Sequence, residues 1–189
     1  MPQREDNKNL FVETLDWICQ KLESADIPYM ITGGSAVGFW GYIRTTMDID
    51  ILIKIQPKQI LSFLKSIEDE AYVDIEEAKR AIFNKEMFNV IMHKTSFKVD
   101  IIPLDEKNAY AVEEFKNRVK IRFQDKEIFV ISPEDLVISK LIWSKSAGGS
   151  ERQLKDCESI YALNREKINL DYILKWVKSL ELDSEFRKL

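Results

Sequence analysis

The chain has 189 residues, 45% of them apolar and 32% charged, with 28 basic against 32 acidic residues for a net charge of −4. That composition fits a globular protein with a sizeable core and argues against a protein held on nucleic acid mainly by positive charge. No apolar run approaches the roughly 20 residues that span a bilayer, the N-terminus shows no apolar signal segment, and Cys19 and Cys157 are too few for a disulfide framework, so a cytoplasmic protein is expected.

Residues 7–24 form the first predicted helix, with Phe11, Leu15, Ile18 and Leu22 at helical spacing. Pro28 ends that region, and residues 29–32 read as a short apolar strand. Gly33-Gly34 makes a turn, after which Ser35 is placed to cap a helix over residues 36–43. Residues 47–55 read as a strand, with Met47, Ile49, Ile51, Ile53 and Ile55 on one face and Asp48, Asp50, Leu52 and Lys54 on the other. A helix is expected from Pro57 over residues 57–70, and a short one around residues 76–83.

Residues 88–92 and 97–103 read as a hairpin around His93-Lys94-Thr95-Ser96, followed by a helix over 107–117. A second hairpin pairs 119–123 with 127–131. From Ser132 the pattern is helical: Ser132-Pro133 is a helix start, Ala147-Gly148-Gly149-Ser150 a break, and helices are expected over 151–163 and 170–180. The expected architecture is α/β (α+β), a mixed twisted sheet flanked by helices, with residues 1–131 as one unit and 132–189 as a helical C-terminal region.

Residues 31–50 carry the chemistry. Asp48 and Asp50, two apart on a strand, face the same way. Asp100 alternates in the same manner within Lys98-Val99-Asp100-Ile101-Ile102. If the two strands are neighbours, three carboxylates converge and call for a cation between them. Magnesium suits hard oxygen ligands and substrate phosphates, and two ions about 4 Å apart activate an attacking oxygen and stabilise a leaving pyrophosphate. Gly33 and Gly34 allow close approach of the backbone to phosphate oxygens, a helix starting there offers free N–H groups, and Ser35 adds a hydroxyl. Each feature alone has an ordinary reading as a turn or a solvated face. Their order along the chain points to a nucleoside triphosphate (NTP).

Gly33-Gly34-Ser35, then Asp48-Ile49-Asp50, then Asp100, resembles the signature of the DNA polymerase β-like nucleotidyltransferase superfamily. The resemblance implies that Asp48, Asp50 and Asp100 hold two magnesium ions and that Gly34 and Ser35 meet phosphate. It implies magnesium-dependent transfer of a nucleoside monophosphate from NTP to an acceptor hydroxyl. With Arg44 and Thr46 ahead of Asp48, the local wording is most similar to the AbiEii-type bacterial branch, some of whose members are toxins of toxin–antitoxin systems. Lys140, Arg152 and Asp156 match that branch's later helical Lys and Arg/Asp cluster. The acceptor stays open: RNA such as a tRNA end, a small antibiotic of the aminoglycoside or lincosamide kind, or a protein. A non-catalytic partner-binding or antitoxin protein on the same fold is the rival.

Other residues have plainer expectations. Arg152 and Asp156 are spaced for a helix ion pair, and Lys140 for a solvated helix face or a nucleotide contact. Arg118, Lys120 and Arg122 form a basic stripe suited to guarding a sheet edge or to touching an acidic substrate. His93 reads as structural, and Trp17, Trp40, Trp143 and Trp176 as core.

Overall fold

The computed structural model describes the backbone of residues 2–42, 46 and 48–189, with side chains from Asn9 onward. Seven strands form one mixed sheet in the order β3-β4-β5-β2-β1-β7-β6. They are β1 (Tyr29–Thr32), β2 (Asp48–Ile53), β3 (Ala71–Tyr72), β4 (Phe88–Met92), β5 (Lys98–Pro103), β6 (Val119–Phe123) and β7 (Lys126–Val130). The central strands are the most apolar, as strands covered on both faces must be: all four residues of β1 are buried, and so are Ile49, Ile51, Leu52 and Ile53 of β2. β2 runs antiparallel to β1 and parallel to β5, while β1 and β7 are parallel. The remaining neighbours, β3–β4, β4–β5 and β6–β7, are antiparallel.

Helices flank the sheet: α1 (Pro2–Ser24), α2 (Gly33–Trp40), α3 (Pro57–Ile67), α4 (Ile75–Asn84), α5 (Ala109–Lys116), α6 (Pro133–Ser146), α7 (Glu151–Asn164), α8 (Leu170–Ser179) and α9 (Asp183–Phe186). Their starts follow the capping chemistry of the sequence. Asp74, Asn108, Ser132 and Asn169 each accept a backbone N–H from the first turn of α4, α5, α6 and α8. Pro57 and Pro133 stand at helix starts, where a missing N–H costs nothing.

The α/β (α+β) architecture expected from the sequence is the one observed. Four differences have physical causes. The helix after Gly33-Gly34 begins at Gly33 and ends at Trp40, and its N-cap is Thr32, not Ser35. Ser35 lies inside the first turn, where its hydroxyl donates to the Thr32 carbonyl at 2.9 Å. A two-residue strand, β3, precedes α4 and pairs with β4; it is too short for any alternation to reveal it. The four-residue α9 also escapes a periodicity argument. Finally, Trp143 is not core: it is 61% exposed on α6.

Among the described residues, no helix is long and apolar enough to cross a membrane. One apolar cluster runs through both halves of the chain, from Leu15 and Ile18 through the sheet to Leu141, Ile160 and Val177. Asn164 ties the C-terminal helices to Trp40, and Trp40 in turn holds Ile131, the residue just before them. Trp40 Nε1 donates to the Ile131 carbonyl at 2.7 Å, and Asn164 Nδ2 donates to the Trp40 carbonyl at 2.6 Å.

Candidate active site

The site is built on the central pair β2–β5. Their parallel register sets Asp48 opposite Lys98 and Asp50 opposite Asp100. Because side chains alternate, these four residues share one face of the sheet. The opposite face of the same strands is apolar: Ile49, Ile51, Val99 and Ile101 are fully buried. The three acids therefore share one face of neighbouring strands, and a lysine joins them.

Lys98 Nζ lies 2.8 Å from Asp100 Oδ2 and 3.8 Å from Asp48 Oδ2. The hydrogen bond it donates to Asp100, more than any other influence, holds the Lys98 ammonium above its ordinary pKa. Asp48 has a second partner, since Thr46 Oγ1 donates to its Oδ1 at 2.9 Å. Asp100 is 5% exposed, and its Oδ1 is buried without a hydrogen-bond partner among the described residues.

Asp50 is held by the turn that precedes α2. The Gly34 N–H donates to Asp50 Oδ2 at 2.8 Å, at the helix N-terminus where a carboxylate is favoured. The Asp50 N–H in turn donates to Ser35 Oγ at 3.2 Å. Ser35 is buried, and its hydroxyl joins the end of β1 to the middle of β2. Gly33 sits at φ +59, and a Cβ there would overlap the Asp50 carboxylate. Both the left-handed backbone and the close approach call for glycine at this position. Burial pushes the Asp50 carboxyl pKa up; the Gly34 hydrogen bond opposes this, Asp48 and Asp100 add to it, and Lys140 pulls it back down.

Lys140, on α6, is neither on a solvated face nor free. Its Nζ lies 3.1 Å from Asp156 Oδ2 on α7, with the two side chains 5% and 0% exposed. The helix ion pair expected between Arg152 and Asp156 gives way to this one. Asp156 turns to Lys140 and to Tyr42, whose hydroxyl donates to Asp156 Oδ1 at 3.0 Å, while Arg152 is exposed. Tyr42 is anchored a second time through its N–H to Ser159 Oγ at 2.8 Å. Tyr42, shortly after α2, is thus fastened to α7. Arg44, expected to meet phosphate, lies outside the described residues.

The basic stripe on β6 guards the edge of the sheet and is engaged within the chain. Lys120 pairs with Glu127 at 3.0 Å, and Arg118 donates to the Phe115 carbonyl and stacks on Phe115 and Phe129. Three strands, β2, β1 and β7, lie between it and β5 in the sheet order.

Two residues of this site carry no functional reading from sequence alone. Lys98 was visible only as a neighbour sharing the Asp100 face. Tyr42 is 114 positions from its partner Asp156, and nothing local announces the pairing.

No group of three or more His, Cys, Asp or Glu side chains among the described residues is gathered closely enough to cage a metal as it stands. The chemistry of the donor set fits a hard divalent cation nonetheless. Three carboxylates of two paired strands face one way, a cationic group already lies against two of them, and one buried carboxylate oxygen has no hydrogen-bond partner among the described residues.

Comparison with solved structures defines the class of fold. An antigenic nucleotidyltransferase-like protein from Paracoccidioides brasiliensis superposes with a TM-score of 0.58 at 18% identity, over 91% of this chain and 89% of that one. The antibiotic-resistance factor ANT(2'')-Ia gives 0.61 at 12% identity, over 97% and 98%. The lincosamide antibiotic adenylyltransferase LnuA in its lincomycin-bound form gives 0.54 at 16% identity, over 80% and 96%. At these identities the likeness establishes a nucleotidyltransferase fold. Residues 11–172 match the family described as "Nucleotidyltransferase of unknown function (DUF6036)", and the chain belongs to that family. No curated protein sequence matches it.

Proposed function

We propose that this protein is a magnesium-dependent nucleotidyltransferase that moves a nucleoside monophosphate from an NTP to the hydroxyl of a small acceptor molecule. The observation that carries this reading is the register that sets Asp50 beside Asp100, with Asp48 on the same face.

Asp48 and Asp50 would hold both metal ions, and Asp100 the ion on the acceptor side. Bound there, the metals would supply charge neutralisation for the triphosphate and a lowered pKa for the acceptor hydroxyl. Asp100, buried and with an oxygen to spare, is suited to orient the acceptor and help remove its proton. The Gly33-Gly34 turn fixes Asp50 through the Gly34 N–H, so the diglycine motif acts first as a brace for the carboxylate and presents its remaining backbone to phosphate. Ser35 secures that brace through Thr32 and Asp50. Lys140 adds positive potential to the Asp50 side of the site, and Arg44, Thr46 and Arg152 are candidates for the NTP's phosphates. Pyrophosphate leaves as the phosphorus–acceptor bond forms.

A small acceptor is favoured over RNA because Lys120 is already ion-paired, Arg118 is already held by a carbonyl and two rings, and the net charge is −4, which leaves little to draw in a polyanion. Two proteins of the same fold, one named a lincosamide antibiotic adenylyltransferase and the other, ANT(2'')-Ia, named an antibiotic-resistance factor, support the same choice. The similarity to the AbiEii-type branch argues for RNA or a protein as the alternative acceptor, in a toxin–antitoxin setting.

The decisive experiment is incubation with each α-labelled NTP and magnesium against three acceptor pools: aminoglycosides and lincosamides, total RNA, and total protein. Label should enter a small molecule with wild type and with none of Asp48→Asn, Asp50→Asn or Asp100→Asn. Equal labelling by the folded Asp50→Asn protein would overturn the catalytic assignment.

A further inference from the structure

Lys98 stands at the meeting point of the acids. It is opposite Asp48 in the register, on the face that carries Asp50 and Asp100. Its Nζ reaches Asp100 Oδ2 at 2.8 Å and Asp48 Oδ2 at 3.8 Å, bridging the two strands. A divalent ion shared by these two carboxylates would have to take the same space.

The two ends of this contact differ in freedom. The Asp100 side chain is 7% exposed, whereas that of Lys98 is 39% exposed. The carboxylate is fixed in the sheet, and the ammonium sits on a flexible four-carbon stem open to solvent. The contact also leaves Asp100 half satisfied: Oδ2 has the ammonium, while the buried Oδ1 has no partner among the described residues. A cation that takes several oxygen ligands satisfies such a carboxylate better than one ammonium does.

We propose that Lys98 is a tethered stand-in for the metal: it neutralises Asp48 and Asp100 while the site awaits substrate, and transfers to the NTP's polyphosphate when a metal–nucleotide complex enters. The inference rests on the nucleotidyltransferase reading and adds a residue that couples metal entry to nucleotide entry. The charges argue for the coupling. Three carboxylates and one ammonium sum to −2. A metal arriving alone must displace the ammonium into water. A metal arriving with a polyphosphate brings the anion that the displaced ammonium can pair with. Metal affinity therefore rises when nucleotide is present, and by linkage nucleotide affinity rises equally when metal is present.

The test measures Mn²⁺ binding to the full chain by electron paramagnetic resonance, with and without a non-hydrolysable NTP analogue. Wild type is compared with Lys98→Met and Lys98→Gln, each checked for folding by circular dichroism. Without nucleotide, both variants should bind Mn²⁺ about tenfold more tightly than wild type; with the analogue present, their Mn²⁺–nucleotide affinity should fall about tenfold below it. Either folded variant suffices. Unchanged nucleotide-free Mn²⁺ affinity in a folded variant would overturn the proposal while leaving the enzymatic reading intact. Absence of any analogue binding by wild type with saturating Mn²⁺ would overturn both. Since the readout is metal occupancy, a variant that merely loosened the sheet would weaken binding in both conditions rather than reverse its sign.

Discussion

Gly33 and Asp50 share one volume: the Asp50 carboxylate fills the space that a Cβ on residue 33 would need. The diglycine turn is therefore as much a seat for a carboxylate as a cradle for phosphate. Gly33→Ala should be harmful twice over. The left-handed backbone at φ +59 strains an alanine, and the new methyl group pushes Asp50 out of line with Asp100. A stability loss of about 1–3 kcal/mol is expected from strain and overlap together. Nucleotide transfer should fall further than that loss explains. Thermal unfolding beside turnover at a temperature where both proteins are folded separates the two effects.

Asp50→Asn should part stability from activity in the opposite sense. Burial and the neighbouring Asp48 and Asp100 disfavour the Asp50 charge in the folded chain. An asparagine keeps the shape and can still accept the Gly34 N–H through its Oδ1. The variant should therefore unfold at or above the wild-type temperature while its transfer activity is lost, the usual exchange at a site strained for chemistry. A lower unfolding temperature with activity retained would reverse this account.

The site was partly legible in the sequence because strand alternation is a local rule. Asp48, Asp50 and Asp100 could be assigned to faces from their spacing alone. Which strand lies beside which is a long-range fact, and no local pattern announces that β2 lies beside β5. Lys140 is a different case, since a signal existed. It lies three and four residues after Val137 and Leu136, one turn along the buried side of α6, so its burial was written in the periodicity. What no pattern announces is the partner: Asp156 comes from another helix, and Tyr42 from the segment after α2. The four-residue α9 and two-residue β3 fall below the length at which any period can be read.

That buried pair sets the next expectation. With Lys140 and Asp156 both out of water, removing one leaves an uncompensated charge inside the fold. Asp156→Ala should cost about 3–5 kcal/mol, and pairing it with Lys140→Met should recover much of that loss. Urea unfolding of wild type, the single variants and the double variant gives the coupling directly. Additive losses would mean that the pair is not the source of the effect. Because Tyr42 also rests on Asp156, the single variant should loosen Tyr42 as well, which faster exchange of its amide would report.

A last consequence concerns pH and lies away from the acids of the site. Burial, helped by the nearby Asp135, pushes the Glu114 carboxyl on α5 from its ordinary 4.5 up to about 8. Asp135, on α6, is itself raised by burial, although Ser132, Tyr172 and Asn117 donate hydrogen bonds to it. A carboxyl whose folded pKa exceeds its unfolded one keeps its proton longer in the native chain. Its contribution to stability is complete below about pH 4.5 and fades as pH climbs through about 8, by an amount on the order of a few kcal/mol. Glu114→Gln carries no such proton. Its stability should therefore fall less between pH 5 and 8 than that of wild type, and at about pH 8.5 the variant should be the more stable of the two. Denaturation midpoints across that range provide the check, and parallel curves for the two proteins would show that Glu114 titrates normally in the native state.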